Sequence, residues 1–402
     1  MEISLKEFHQ KTKIIVGHVH MPMYADKDKA FYKDVHKNIP NAQVDIPKLK
    51  KGSVNTIFLY PYTPRDLMLD PLIREQALYK PNNIPIHRPI YSGDSDVKRT
   101  LRDIDAVYQM IKSNSDTVEL ALSVKDMERI NEQNKIAIFL FLVGSPIAED
   151  LAVLRCYYQL GARGMKLIHQ SNKDWIDTDG QQTNLGGLGL FGEKVVREMN
   201  NLGMVIDLAH SSEQAMQDVF NISQDPVIIS HSLTKKVCNI QRNVSDKILR
   251  LLAQNGGVLG IHVASHIADF ECIKKKSQSK AYQTQMRRLA DFTASYGTIK
   301  DPYKLEELLI RFTENLPEIN LHLSNVEKII DHIDHVKNLI GMDHIAIGTD
   351  YGGITDTPSD MRDISQLLVL TTKLFQRGYS EEEVRKILSG NLYRVLKSVL
   401  KT

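Results

Sequence analysis

Eight short apolar runs, separated by stretches of helical period, constrain the fold of this chain more than any other feature of its sequence. They read KIIVGHVH, VNTIFLYPY, AIFLFLV, GMKLIH, MVIDLAH, PVIISH, GVLGIHV and HIAIGTD. A weaker ninth run, Val118 to Leu122, fits an added or edge strand. Strands that alternate with helices predict a parallel sheet with helical crossovers, and eight of them match a closed α/β barrel of the (β/α)8 TIM type. The chain's 402 residues, 42% of them hydrophobic, suffice for the core of such a barrel, read here as a single domain over 1–402.

Several of these runs end in a residue that can hold a metal. The first carries His18 and His20, whose H-x-H spacing puts both imidazoles on one face of a strand. His169, His210, His231 and Asp350 end four others. In barrels of this kind the reactive groups lie where strands run into the following loops, so these residues are the candidates for a site at the mouth. Imidazole and carboxylate suit Zn2+ and related divalent ions, which activate water near neutral pH. Asp350 is placed to take the proton of an attacking water and pass it to a leaving group. The reaction class this predicts is hydrolysis.

Plainer explanations hold for other histidines. His262 and His266 would share a face only on a helix, which predicts a structural or substrate-facing role for His262. His332 and His335 fall on the amphipathic pattern NVEKIIDHIDHVKNLI, where solvent or interhelix hydrogen bonds account for them. A modified lysine can bridge metals, but Lys166 stands three residues before His169, and strict alternation puts it on the opposite strand face.

The remaining features bound the class of protein. A formal charge of +2 with 25% charged residues gives no footing for a nucleic-acid partner. The start MEISLKEFHQKTK lacks the apolar centre of a secretory signal, and no run reaches the roughly 20 apolar residues of a membrane span, so a cytoplasmic protein is expected. Cys156, Cys238 and Cys272 are too few and scattered for a disulfide framework. A long interruption, 265–325, with Lys274, Lys275 and Lys276 in a solvated turn and helix-like KLEELLIRF, predicts a helical insertion before the last strand. PNNIPIHRPIYSGDSD reads as a surface loop. Ser380 and Glu383 form a capping box opening EEEVRKIL, with Gly390 as its stop.

The stretches GHVHMP, GSVNTIFLYPYTP, DLAVLRCYYQLGARGMKLIHQSN, FGEKVVREMNNLGMVIDLAHSS, PVIISHS, RNVSD, and HIDHVKNLIGMDHIAIGTDYGG through GNLYRVL resemble the membrane (renal) dipeptidases. These are zinc peptidases of the amidohydrolase superfamily, and the likeness covers most of the chain. It implies a barrel of metal-dependent hydrolase type, metal binding by His18, His210, His231 and Asp350, and substrate contacts from His169 and Arg242. The matching histidine stabilises the oxyanion and the matching arginine holds a substrate carboxylate or oxyanion.

Two positions depart from the family pattern. Where the family reads G-H-x-D, this chain has His20 for the aspartate. Where the family's E-G-G supplies a bridging glutamate, this chain has Leu142, and Glu149 and Asp150 fall later, in the following helix. The family's D-F-D-G becomes Asp350, Tyr351, Gly352 and Gly353, which loses the second aspartate. Without a bridging carboxylate one ion is expected rather than two, held by His18, His20, His210 and Asp350 with His231 beside them to orient water or substrate. That set resembles the mononuclear, deaminase-like members of the superfamily.

The expected function is metal-dependent hydrolysis of a small amide, a dipeptide or modified amino-acid derivative, and a homodimer is in keeping with the family. Leu142 leaves open a dipeptidase-like pseudoenzyme, a ligand-binding protein or a non-hydrolytic tailoring enzyme.

Overall fold

The computed structural model describes residues 4–25, 30–32, 34–61, 96–144, 146–169, 173–179, 185–296 and 322–401. In chain order the strands are β1 (Ile14–Val19), β2 (Met23–Ala25), β3 (Ala30–Tyr32), β4 (Val54–Leu59), β5 (Val118–Leu120), β6 (Ile136–Leu142), β7 (Ala162–Lys166), β8 (Val205–Asp207), β9 (Ile228–Ser232), β10 (Val258–His262) and β11 (Ile345–Thr349). The large sheet runs β4-β1-β11-β10-β9-β8-β7-β6-β5, and a further β4–β6 pairing closes it. Eight strands thus form the barrel, each matching one expected run. β5 lies outside the ring, paired in parallel with β6, as an added strand. β2 and β3 form a separate antiparallel hairpin.

All seven residues of β6 are buried because both faces of a barrel strand are covered, one by the interior and one by helices. The interior holds aromatic rings: Phe58 stacks on Phe141 with centroids 4.5 Å apart and meets Phe139 edge-on at 5.8 Å. Leu392, Val395 and Leu396 of the final helix join the same cluster. The other strand face, with Val16, Ile57, Leu140 and Met165, packs on helix residues Val195, Val219, Ile248 and Ile329.

Two local expectations change. Lys274, Lys275 and Lys276 lie within a helix, Phe270–Gln278, rather than a turn, because Asp269 caps its start and Cys272 gives it a buried side. That helix and its neighbours Ser265–Ala268 and Lys280–Tyr296 occupy part of the expected insertion. KLEELLIRF and nearly all of PNNIPIHRPIYSGDSD lie outside the described residues. The Ser380–Glu383 capping box is present. Gly390, however, does not stop the helix: it has right-handed helical angles, φ −54° and ψ −40°, and the chain runs on into Asn391–Val399. That helix continues because Leu392, Val395 and Leu396 are buried by doing so. Among the described residues no helix is long and apolar enough to cross a membrane.

His332, on helix Val326–Ile340, is a fully buried tie between elements. The backbone N–H of Thr234 donates to its Nδ1 at 3.0 Å, and Nε2 donates to the carbonyl of Ala268 at 3.0 Å. Both ring nitrogens are therefore satisfied only in the neutral form. Burial, as the largest cause, pulls its pKa from the ordinary 6.5 down to about 4. The unfolded chain then binds a proton that the folded chain refuses. This contribution is complete above pH 6.5 and is lost progressively as pH falls toward about 4. Urea midpoints measured between pH 7 and pH 4 should fall across that window, and His332→Gln should flatten the slope. An equal slope in both proteins would exclude the role.

Candidate metal centre

Four imidazoles meet at the mouth in two pairs. His18 Nε2 lies 3.1 Å from His20 Nε2, and His210 Nε2 lies 3.1 Å from His231 Nε2. The pairs sit side by side, with the His18 and His231 ring centroids 3.8 Å apart. Asp350 Oδ1 lies 3.5 Å from His18 Nε2 and 3.3 Å from His20 Nε2. His18, His231 and Asp350 offer ligand atoms all within 4.8 Å of one another. Of the predicted ligands, the structure therefore brings together His18, His20, His210, His231 and Asp350.

Hydrogen bonds behind the rings determine which nitrogen of each faces the centre. Ser230 Oγ donates its single proton to Asp207 Oδ2 at 2.6 Å. Its lone pairs are then left to accept, and His18 Nδ1 lies at 2.9 Å and His231 Nδ1 at 2.7 Å. Both rings therefore carry their proton on Nδ1 and present a bare Nε2. His20 follows the same rule, because its Nδ1 lies 2.8 Å from the carbonyl of Tyr60, which can only accept. The 3.1 Å approach of His18 Nε2 to His20 Nε2 thus brings two lone pairs together with no proton between them. Arg242 Nη2 lies 3.4 Å from His210 Nε2, so that nitrogen is also an acceptor facing the bare Nε2 of His231. Converging lone pairs beside a carboxylate call for a cation, and two nitrogens on one tetrahedral zinc stand roughly 3.3 Å apart. The residues fit a divalent metal ion.

Electrostatics agree. Burial first, then the charge of Lys166, lowers the His18 pKa well below its ordinary value. Burial, then His18 and Lys166, does the same to His231. Both stay neutral, as ligands must. Burial alone would raise the Asp350 pKa, but the imidazoles of His20 and His262 override it and hold the carboxyl well below its usual range. His262 lies behind Asp350: its Nδ1 accepts from the backbone N–H of Ala264 at 3.0 Å, and its Nε2 lies 3.2 Å from Asp350 Oδ2. It supports the carboxylate, while His266 turns away to Asp356 at 2.9 Å. Backbone strain concentrates here, since the non-glycine residues His210, Thr349 and Asp350 have φ of 72°, 43° and 67°.

The substrate candidates sit at the rim. His169 is half-buried, its ring 4.6 Å from that of His210. Arg242 Nη2 donates to the carbonyl of His231 at 2.6 Å. Leu142 is buried in the apolar cluster between barrel and helices, and Asp150 caps helix Leu151–Gln159. Sequence reasoning missed Asp207, Ser230 and Tyr60, whose hydroxyl donates to Asp207 Oδ2 at 2.9 Å. An acid inside the apolar run MVIDLAH was the available signal, because a buried carboxylate needs partners. Lys166 also departs from expectation. β7 ends at Lys166, so alternation cannot be counted back from His169, and the buried ammonium approaches the Tyr60 ring, 5.7 Å from its centroid.

Fold and site together define a closed (β/α)8 barrel with a candidate metal centre at its mouth. More narrowly, the chain belongs to the membrane dipeptidase family (peptidase family M19), whose profile matches residues 3–402. It is 33% identical to Dipeptidase 3 of Homo sapiens over 311 residues, 76% of this chain but 53% of that protein, so it spans about half that relative's length. It is 27% identical to Dipeptidase aclJ of Aspergillus oryzae over 387 residues, 95% of this chain and 74% of that one. Its fold matches the crystal structure of the probable dipeptidase PvdM from Pseudomonas aeruginosa, with TM-score 0.72, 21% identity and coverage of 98% and 97% of the two chains. It likewise matches a metallo peptidase from Rhodobacter sphaeroides liganded with a phosphinate mimic of L-Ala-D-Ala, with TM-score 0.69, 16% identity and coverage of 96% and 99%.

If Ser230 fixes the tautomers of His18 and His231, Ser230→Ala should weaken zinc binding by about 10- to 100-fold while the fold survives. Competition with a chromophoric chelator, beside circular dichroism, measures this. Unchanged affinity would remove Ser230 from the site.

Proposed function

We propose that this chain is a metal-dependent hydrolase cleaving the amide bond of a dipeptide or dipeptide-like amino-acid derivative, with Zn2+ as its metal. The observation that carries the reading is the convergence of His18, His20, His210, His231 and Asp350, with bare nitrogens facing one another, in a member of a dipeptidase family. A divalent ion there supplies Lewis acidity and makes hydroxide available near neutral pH.

The chain's own groups do the rest. Asp350, held ionised, accepts the proton of the attacking water and delivers it to the departing amine nitrogen. His169, beside His210, donates a hydrogen bond to the oxygen that gains charge as the carbonyl becomes tetrahedral. Arg242, anchored on the His231 carbonyl, orients the substrate through its carboxylate. A barrel that binds such a ligand without turning it over is the second reading, and buried Leu142 at the family's glutamate position favours it.

A chelator should abolish hydrolysis in a dipeptide screen and added zinc should restore it. His169→Asn should lower kcat by about 10²- to 10³-fold with little change in KM. Arg242→Met should act mainly on KM, costing about 1.5–3 kcal/mol in kcat/KM. Metal uptake without cleavage of any dipeptide selects the second reading, and hydrolysis indifferent to chelation sinks the first.

A further inference from the structure

Asp179 is a rim carboxylate that the chemistry above leaves without a task. Its backbone N–H donates to the carbonyl of His210 at 2.8 Å, and the Thr178 hydroxyl lies 2.6 Å from the His169 carbonyl and 2.9 Å from that of His210. The segment is thereby fastened to the backbone of one candidate metal ligand and of one candidate substrate contact. Asp179 Oδ2 faces Arg242 Nε at 3.7 Å, while Arg242 Nη2 reaches the His231 carbonyl at 2.6 Å and lies 3.4 Å from His210 Nε2. Both residues are half-buried, so each keeps part of its surface open.

Where this chain simply neutralises an arginine, the pair closes to hydrogen-bond distance, as Arg377 does on Glu327 at 2.7 Å and on Asp334 at 2.8 Å. The Arg242–Asp179 pair stays wider, with both partners tied to the backbone of the site. Its spacing suits an α-amino acid. The nitrogen and the carboxylate carbon on one Cα are about 2.5 Å apart, so the protein groups that hold them must be close neighbours of opposite charge. With the terminal carboxylate of a dipeptide on Arg242, the scissile nitrogen is the next polar atom along the substrate, and Asp179 is the carboxylate beside that arginine. A carboxylate has about four acceptor sites, enough to face Arg242 and to accept from a ligand as well.

We propose that Asp179 is a further catalytic residue: its carboxylate accepts the N–H of the scissile amide and holds that nitrogen as it becomes an amine. The inference rests on the hydrolase reading and names the part of the substrate that the rim pair reads, a leaving α-amino acid with a free carboxylate. Asp179 transfers nothing. The proton that reaches the nitrogen comes from the attacking water through Asp350, the C–N bond breaks, and its electron pair leaves with the amine. By fixing the N–H, Asp179 keeps the nitrogen's lone pair turned away from itself and open to that proton. The hydrogen bond strengthens as the nitrogen gains positive charge, so it favours the transition state over the bound substrate.

The test uses the full zinc-loaded chain with a dipeptide, with the depsipeptide in which an ester oxygen replaces the scissile N–H, and with two uncleavable isosteres that carry a methyleneamine or a plain ethylene link there. Asp179→Asn should lower kcat on the dipeptide about 10- to 100-fold, with KM little changed and ester cleavage unaffected. By calorimetry the wild-type chain should bind the nitrogen isostere about tenfold more tightly than the carbon one. Asp179→Asn should lose that preference without binding the carbon isostere more weakly. Equal losses on amide and ester, or weaker binding of both isosteres, would reduce Asp179 to a support for Arg242 and overturn the proposal, as would a variant that behaves like wild type. Should the variant fail to fold, the wild-type chain decides alone: a preference for the nitrogen isostere supports the proposal and equal affinities overturn it. Dipeptide cleavage without any nitrogen preference sinks this inference and leaves the hydrolase standing. A nitrogen preference that disappears in Asp179→Asn, with no dipeptide cleaved, supports the Asp179 contact and sinks the hydrolase.

Discussion

One hydroxyl group organises the site. Ser230 Oγ has one proton to give and gives it to Asp207, so its lone pairs must be met by donors, and the donors in place are the Nδ1–H groups of His18 and His231. The bare Nε2 atoms at the mouth are a consequence of that single donation. Asp207 can hold the role because its oxygens accept from the backbone N–H groups of Ala209 and Ser230 and from the Tyr60 hydroxyl. A carboxylate buried in a barrel without such partners would cost several kcal/mol and would protonate instead. Tyr60 in turn keeps its proton, since burial and the adjacent Asp207 push its pKa well above the ordinary value. The same residue stacks on His18 and receives the His20 Nδ1–H on its carbonyl, so it links the hydrogen-bond floor to both rings of one pair.

Strain at the strand ends belongs to the same arrangement. His210, Thr349 and Asp350 adopt left-handed angles that cost non-glycine residues about 1–3 kcal/mol each. The turn at Asp350 is held from both sides: its backbone N–H donates to the carbonyl of His18, and the Thr349 hydroxyl donates to that same carbonyl. The backbone N–H of His20 donates to Tyr351. The first and last barrel strands are thereby locked at the point where their side chains must meet, which fixes Asp350 Oδ1 beside both imidazoles of that pair.

The barrel was legible because its signal is one of period and repetition. The eight apolar runs KIIVGHVH to HIAIGTD each became a barrel strand, and the weaker run at Val118 became the extra one. The residues that converge at the mouth were legible because strand ends in such a barrel point to one place. What lay beyond reach depended on contacts between distant strands. Ser230 bears no mark in PVIISH of its bonds to His18, 212 residues away, or Asp207. Lys166 was misplaced by carrying a two-residue period past the end of its strand, where Leu167 and Ile168 no longer alternate. Lys274 to Lys276 misled in another way, since a run of like charges suits a turn or an exposed helix face equally and only the Asp269 cap distinguishes them.

The departures from the family's pattern are best understood as one change in charge. Set against the family pattern the chain resembles, histidine at position 20 and leucine at position 142 leave two fewer carboxylates at the candidate metal site, while the inward Lys166 brings an ionisable group toward the same space. Two divalent ions about 4 Å apart repel by roughly 16 kcal/mol at an effective dielectric of about 20, so the absence of those carboxylates weighs against a second ion. The Lys166 ammonium, after burial, is among the causes that keep His18 and His231 neutral. The imidazole of His20 gives up a charge but keeps a ligand atom, so that change preserves a donor at the mouth, whereas Leu142 offers none.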